Sequence, residues 1–249
     1  MKYLLISILI LCLTGLTAQV TSARVTYSET LALNLGKKEM EPGMKALLSQ
    51  LPKEHVNEAE LLFSPTAATY AEKPYTGEEM KAESGSNSIS FSFSEDDPDL
   101  YYFDLANQRT QQVRSVFDRK FQIEDAISPI DWSITEEVGF DDPTQLNTIK
   151  ATGINSEGDT ITAWYTPNVP VSTGPLDIMG LPGLIVRAEI GKMTYQVTSI
   201  EILGKAPVIP IPFTEGKTVS IKKFEKTKKA KEDAFRKQIE ARGNVISIE

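Results

Sequence analysis

Cysteine and histidine are almost absent from this chain of 249 residues. Cys12 is its only cysteine and His55 its only histidine. Zinc sites need several such ligands, and a Ser-His-Asp triad needs a histidine beside its nucleophile. The sequence also contains no Gly-x-Ser-x-Gly elbow, no Walker A loop and no dinucleotide-binding glycine fingerprint. We therefore expect a protein that is not an enzyme, with no catalytic residue, no metal site and no cofactor.

Long apolar runs and clustered positive charge are scarce as well. Beyond its first residues the chain has no apolar run of the length, about 18 residues, that spans a bilayer. The 34 acidic residues outnumber the 26 basic ones, which gives a net charge of −8. Proteins that bind nucleic acid concentrate Lys and Arg against the phosphates. We expect no transmembrane helix in the mature chain and no nucleic-acid partner.

The N-terminus has the pattern of a secretory signal. Lys2 precedes an apolar run over residues 4–13, and Ala18 stands before Gln19. We predict a signal peptide over residues 1–18 and export to the periplasm or outer envelope. A buried N-terminal helix and an uncleaved anchor are the alternatives. Cys12 lies inside the apolar run, unlike a lipoprotein cysteine, and cleavage would remove it.

Strand signals fill residues 19–205, which we predict to form one β-rich domain. Residues 24–30 and 88–93 alternate in polarity, while the polar stretch 78–87 is typical of an exposed loop. Residues 184–190 precede Gly191-Lys192, a pair suited to a type II′ hairpin turn. The apolar phase changes after this turn, which predicts a β-bulge near Thr198.

Many short strands with short connections predict a mainly β fold with few helices. Open twisted sheets rarely exceed about 10 strands without curling. We therefore expect a curved antiparallel meander, as a half-barrel or open barrel. Residues 44–51 are expected to form a short helix that ends at Pro52.

Residues 206–249 are predicted to form a proline-rich connection and a C-terminal basic helix. The helix is expected over residues 222–242. Between positions 222 and 237 it contains eight basic and three acidic residues. Phe235 and Ile239 give it only a thin apolar stripe. Two interpretations stay open: a solvated surface helix, or a contact with anionic lipid headgroups or an acidic partner.

A distinctive motif lies near the end of the predicted domain. Residues 180–185 read Gly-Leu-Pro-Gly-Leu-Ile, and they follow an Ala-Trp-Tyr-Thr element and a Gly-Pro pair. This combination resembles the GLPGLI family of exported bacterial proteins, and the likeness extends to about residue 202. The motif residues are Ala163, Trp164, Tyr165, Thr166, Gly174, Pro175, Gly180, Leu181, Pro182, Gly183, Leu184 and Ile185.

The resemblance implies an exported protein of Gram-negative envelopes and no assigned reaction. Family members often carry a cysteine shortly before a Lys-Ala-Thr-like element. Here Thr148 stands at that place, before residues 150–152. A thiol-dependent role in relatives would therefore not extend to this chain.

The motif has a physical interpretation of its own. Pro182-Gly183 suits the central positions of a type II turn, where glycine accepts a positive φ. Leu181, Leu184 and Ile185 would anchor this turn in apolar surroundings. The motif is then either a structural corner that feeds the following strand or an apolar rim that contacts a ligand or partner.

Acidic residues cluster in residues 95–99, 136–137 and 141–142. Neighbouring carboxylates on loops are usually solvated, and calcium binding is the next interpretation. A hydrolase that uses these carboxylates or Tyr165 would need them to converge in one cleft.

These observations favour a non-enzymatic envelope module whose curved sheet presents an apolar concavity, which would bind an apolar ligand or a segment of another envelope protein. The first alternative is a structural or assembly partner of an outer-membrane protein, docked through an exposed patch around Leu181 and Ile185. The second alternative is the carboxylate-based hydrolase.

Overall fold

The structure is a computed structural model, and it describes residues 22–33, 45–46, 48–74, 80–84, 87–91, 98–117, 119–141, 143–213 and 215–241. The predicted signal peptide lies outside these ranges. Residues 45, 46 and 48 of the predicted short helix are helical, and residues 44 and 47 are not described.

Strands account for most of the regular structure. In chain order they are β1 (Ala23–Ala32), β2 (Glu54–Phe63), β3 (Ala67–Glu72), β4 (Met80–Ser84), β5 (Asn87–Phe91), β6 (Leu100–Asp104), β7 (Arg109–Val116), β8 (Arg119–Ala126), β9 (Asp131–Asp141), β10 (Leu146–Ile154), β11 (Thr160–Thr166), β12 (Leu184–Ile190), β13 (Met193–Ile202) and β14 (Thr218–Val219). One long helix follows them, α1 (Ile221–Ala241).

Twelve strands form one sheet in the order β14-β8-β7-β6-β3-β2-β1-β13-β12-β11-β10-β9, while β4 and β5 form a separate hairpin. The large sheet consists of two antiparallel meanders joined by the pairing of β1 with β13. Only β14 runs parallel to its neighbour. The predicted mainly β, open meander is confirmed, with the added feature that its first strand lies in the middle of the sheet.

The connection between β8 and β9 shows that the sheet is strongly curved. These strands lie ten positions apart, which would place them about 48 Å apart in a flat sheet. Only residues 127–130 join them, and such a link spans no more than about 18 Å. The two ends of the sheet must therefore curl towards each other.

A large apolar core packs on one face of this sheet, and a smaller cluster joins β7 and β8 to α1. In β1 the side chains of Ala23, Val25 and Tyr27 are buried and alternate with half-buried ones, as the sequence pattern requires. The same core takes buried side chains from β2, β3, β6, β10, β11, β12 and β13. Both meanders thus share one core, which makes the curled sheet a single packing unit.

The predicted hairpin and bulge near the end of the sheet are confirmed. Ile190 pairs with Met193 across the turn, and Gly191 has a φ of 57°. The partners of β1 change from Ser199 to Val197, so that Thr198 is the extra residue of a bulge.

The predicted exposed loop over residues 78–87 is wrong. Its described part contains β4 and the first residue of β5, and Ser84 pairs with Asn87 across the hairpin. These five-residue strands contain few apolar residues, and the polar sequence was therefore interpreted as a loop and not as a hairpin.

Helix α1 begins and ends within one residue of the predicted bounds, and it packs on the sheet. Phe224 is buried against Phe121 of β8, with ring centroids 5.4 Å apart. Phe235 lies farther along and contacts Phe117, with ring centroids 5.3 Å apart. Among the described helices, none is long and apolar enough to cross a membrane.

Candidate functional site

The Gly-Leu-Pro-Gly-Leu-Ile motif leads into β12, and its apolar side chains belong to the core. Leu181 is 1% exposed, and Leu184 and Ile185 are 0% exposed. The buried hydroxyl of Tyr27 donates a hydrogen bond to the carbonyl oxygen of Ile185. The exposed patch required for docking through Leu181 and Ile185 is therefore not present in the structure.

The turn inside the motif differs from the predicted type II turn. Gly180 has a φ of 102°, whereas Gly183 is not among the residues with positive φ. The amide of Gly183 donates to the carbonyl oxygen of Leu181 at 2.8 Å, which closes a three-residue turn around Pro182. Gly183 is needed for another reason: an added Cβ would overlap the carbonyl oxygen of Thr166.

The remaining motif residues complete the same packing unit. Ala163, Tyr165, Thr166, Gly174 and Pro175 are buried. A Cβ on Gly174 would lie 2.6 Å from the carbonyl oxygen of Ile178, so this loop packs closely on itself. Only Trp164 has a charged environment, since the Arg187 guanidinium lies 4.9 Å from its ring centre and the Lys150 ammonium 5.8 Å.

An apolar cleft of about 650 Å³ lies beside this unit, where the curled ends of the sheet meet. Its apolar walls come from Leu105, Ile127, Ile130, Val171 and Met179, together with Pro65, Pro129 and Pro170. Its polar contributors are Gln108, Ser128 and Ser172, and no ionisable side chain lines it. This set of residues suits an apolar ligand held by a few hydrogen bonds.

Hydrogen bonds hold the walls of the cleft in place. The Trp132 indole Nε1 donates to the carbonyl oxygen of Met179 at 2.8 Å. The amide of Gly180 donates to the Ser172 Oγ at 3.1 Å, and the amide of Ile127 donates to the carbonyl oxygen of Gln108 at 3.0 Å. These hydrogen bonds fix the positions of wall residues that come from different segments of the chain.

A second notable cluster surrounds Arg114 on β7. Its guanidinium donates to Glu225 of α1 at 2.7 Å and lies 3.5 Å from Asp99. The same group lies over the rings of Phe224 and Tyr101, at 4.4 and 5.5 Å from their centres. These contacts connect the helix to the sheet, and none of these residues lines the apolar cleft.

Electrostatics in this cluster perturb two groups in particular. Burial raises the pKa of the Asp177 carboxyl, and the positive charge of Arg114 opposes that rise. Burial lowers the pKa of Arg114, but the neighbouring Tyr101, Glu225, Asp99 and Asp177 outweigh it and raise the pKa overall. No role was assigned to Asp177 or Arg114 from the sequence. These residues are far apart along the chain, and no local spacing relates them.

The groups proposed for a hydrolase do not come together in the described structure. Tyr165 is buried in the core, whereas Glu136 and Glu137 are exposed on β9. Residues 95–97 and 142 of the acidic clusters lie outside the described residues. Within the described ranges, no three histidine, cysteine or carboxylate side chains are grouped as they would be to hold a metal ion.

The chain matches known proteins in a limited way. A family model described as "Protein of unknown function (Porph_ging)" matches residues 107–187, which include both motif elements. No curated protein matches the chain.

Two solved structures of PNGF-II resemble the fold at low identity. The one in space group C2 has 14% identity and a TM-score of 0.46, over 74% of this chain and 28% of that chain. The one in space group P2₁ has 12% identity and a TM-score of 0.48, over 83% and 32%. This chain thus spans about a third of the PNGF-II chain at most.

Proposed function

We propose that this protein is a non-enzymatic binding module that takes an apolar ligand, or an apolar segment of an envelope protein, in the cleft beside the motif. The cleft itself is the observation that supports the proposal. Its volume of about 650 Å³ lies within the range of about 300–1,000 Å³ that is usual for ligand sites.

The chemistry of the walls favours binding over catalysis. An acid–base or nucleophilic reaction needs an ionisable or nucleophilic group beside the substrate, usually several in defined geometry. The cleft offers aliphatic side chains, three prolines, one amide and two unactivated serine hydroxyls. Such walls supply apolar contact area and a few orienting hydrogen bonds.

The proposal extends to family and location. The residues of the motif resemble the GLPGLI family, and the match to a family model of unknown function is compatible with that assignment. The N-terminal pattern supports export to the cell envelope. In that compartment, apolar cargo such as acyl chains and unfolded segments of envelope proteins needs protection from water.

The test uses the position of a tryptophan behind the cleft wall. Trp132 and Trp164 are the only two tryptophans, so Trp164→Phe leaves Trp132 as the single reporter. Dibromostearic acid, a contact quencher of indole fluorescence, is titrated into this variant. We expect saturable quenching, and native mass spectrometry of the unmodified protein is expected to show a bound apolar compound.

A matched pair of substitutions locates the binding. Val171→Asp, in the same background, places a charge in the cleft and is expected to weaken binding of the probe at least about tenfold. Val208→Asp makes the same change at a side chain that is 93% exposed, and it should leave the affinity unchanged. Absence of saturable quenching together with a clean native mass would reject an apolar small-molecule ligand. Equal losses in both variants would reject this cleft as the site.

A further inference from the structure

A second cleft, of about 500 Å³, is lined by residues of β8, of β14 with the preceding Lys217, and of the first turns of α1. Four of its lining side chains are cationic: Arg119, Lys120, Lys217 and Lys223. The other lining residues are Phe121, Gln122, Val219 and Thr227. No carboxylate lines this basic cleft among the residues that the structure describes.

The cations of the basic cleft are only partly compensated. Within the described part of the chain, Arg119, Lys217 and Lys223 form no ion pair with a carboxylate. The Arg119 guanidinium instead lies over the ring of Phe121, 4.9 Å from its centre. Cations gathered in one concavity repel each other, and a bound anion would relieve that repulsion.

Three elements place these cations around one space. In the parallel pairing of β14 with β8, Thr218 lies opposite Gln122. The preceding Gly216 has a φ of 120°, and an added Cβ there would overlap the Gln122 side chain. This close approach positions the neighbouring Lys217 at the edge of β8. Helix α1 supplies Lys223 and Thr227, which lie one turn apart on one face.

Side chains rather than the helix terminus form the anion-attracting surface. The amide of Lys223 donates to the Ser220 Oγ at 3.3 Å, and the amide of Ile221 donates to an Asp125 carboxylate oxygen at 3.0 Å. These contacts already cap the first turn of α1.

We propose that the basic cleft binds a phosphate-type anion, namely a phosphomonoester or phosphodiester group. Lys and Arg are the usual partners of such groups, because their charge-assisted hydrogen bonds to phosphate oxygens are strong. The net charge of the chain is −8, so an anion would be attracted by the four cations of the basic cleft and not by the protein as a whole. The site is separate from the apolar cleft and does not depend on its function. A lipid headgroup and a soluble phosphorylated compound share this chemistry.

The experiment compares two double variants with the same change of net charge. Lys217→Gln with Lys223→Gln removes one loop cation and one helix cation from the basic cleft. Lys205→Gln with Lys229→Gln removes an exposed loop cation and an exposed helix cation that lie outside it. Circular dichroism and unfolding midpoints verify that both variants fold like the unmodified protein.

Binding is measured with pyrophosphate by calorimetry and with sedimented vesicles of phosphatidylcholine, with or without an equal share of phosphatidylglycerol. We expect the cleft variant to lose at least about tenfold in affinity, and the control variant less than about twofold. Binding of pyrophosphate indicates a soluble source, and binding only to the anionic vesicles indicates a lipid headgroup; either supports the proposal. No binding to either probe, or equal losses in the two variants, would overturn it.

Discussion

At the scale of single residues, the two glycines of the motif, Gly180 and Gly183, have different structural roles. Gly180 has the positive φ that the sequence pattern assigned to Gly183, and Gly183 instead allows the backbone of residue 166 to approach. Both positions need a residue without a Cβ, Gly180 for its backbone conformation and Gly183 for the close contact. Only the folded backbone shows which of the two reasons applies at each position.

This distinction predicts the outcome of a simple pair of substitutions. Gly183→Ala would press a methyl group into the Thr166 carbonyl, and it is expected to destabilise the protein by about 1–3 kcal/mol or more. Gly204→Ala has open space around the added methyl group and should change the free energy of unfolding by less than about 0.5 kcal/mol. Urea unfolding of both variants measures the difference. Similar values for the two would contradict the packing argument.

Asp177 leads to a prediction about pH. Because burial raises its pKa above 3.8 in the folded state, the folded protein holds this proton to higher pH than the unfolded chain does. The stability from this group is therefore present below the unfolded pKa and is lost as pH rises through the folded pKa. Asp177→Asn is expected to stabilise the protein relative to the unmodified chain, by an amount that grows from about pH 4 to pH 7. Urea unfolding across this range tests it, and a difference that stays constant or shrinks would refute it.

At the scale of elements, α1 shows how a predominantly basic helix attaches to a sheet. Its sequence has only a thin apolar stripe, yet Phe224 is 1% exposed between Phe121 and the Arg114 guanidinium. The ion pair of Arg114 with Glu225 adds a directional contact at the same place. One aromatic side chain and one partly buried arginine thus supply much of the contact that a broader stripe would otherwise provide.

A matched pair of phenylalanine substitutions tests this account. Phe224→Ala is expected to cost about 3 kcal/mol or more, because it leaves a cavity in a closely packed contact. Phe235→Ala on the same helix should cost less than about 1 kcal/mol, since Phe235 is 50% exposed. Hydrogen exchange over residues 221–241 should speed up mainly in the Phe224 variant. Equal effects would mean that the helix is held elsewhere.

The edge strand β9 illustrates a different property of an element. Its apolar side chains Val138 and Phe140 are 70% and 56% exposed, and its outer edge has no partner strand among the described residues. Glu136 and Glu137 are exposed on the same strand, and its pairing with β10 contains an irregularity. Charges and bulges are the usual features that keep such an edge from pairing with other chains.

At the scale of the whole molecule, the pairing of β1 with β13 joins two meanders into one cooperative structure. The buried core draws side chains from both, so neither meander can unfold without exposing the apolar face of the other. The hydroxyl of Tyr27 on β1 also bonds to the backbone of β12.

Cooperative unfolding follows as a prediction. Trp132 and Trp164 both lie in the second meander, so their fluorescence reports that half, whereas far-ultraviolet circular dichroism reports all strands. We expect the two signals to give coincident urea midpoints, as in two-state unfolding. Separated midpoints would show that the meanders unfold as independent units.

Local sequence patterns predicted part of the local structure, although the hairpin of β4 and β5 and the turn at Pro182 differ from the prediction. The hairpin around Gly191, the bulge at Thr198 and the bounds of α1 each depend on neighbouring residues, and each is confirmed. The curved sheet led us to expect an apolar concavity, but the residues that line the two clefts were not predicted, because the walls of each cleft come from segments that lie far apart in the chain. The Arg114 cluster was missed for the same reason, since Arg114 and Glu225 are separated by 111 positions.

The sequence by itself determined the mainly β character, the hairpin turn at Gly191 and the distribution of charge, because polarity alternation and glycine act over a few residues. Tertiary structure alone decided that β1 pairs with β13, which strands form the two ends of the curved sheet, and that the motif is buried. It also decided that two cations of β8, one that precedes β14 and one of α1 lie around one cleft. These features depend on contacts between distant segments, whose free energy is set by how the whole core packs and not by any local pattern.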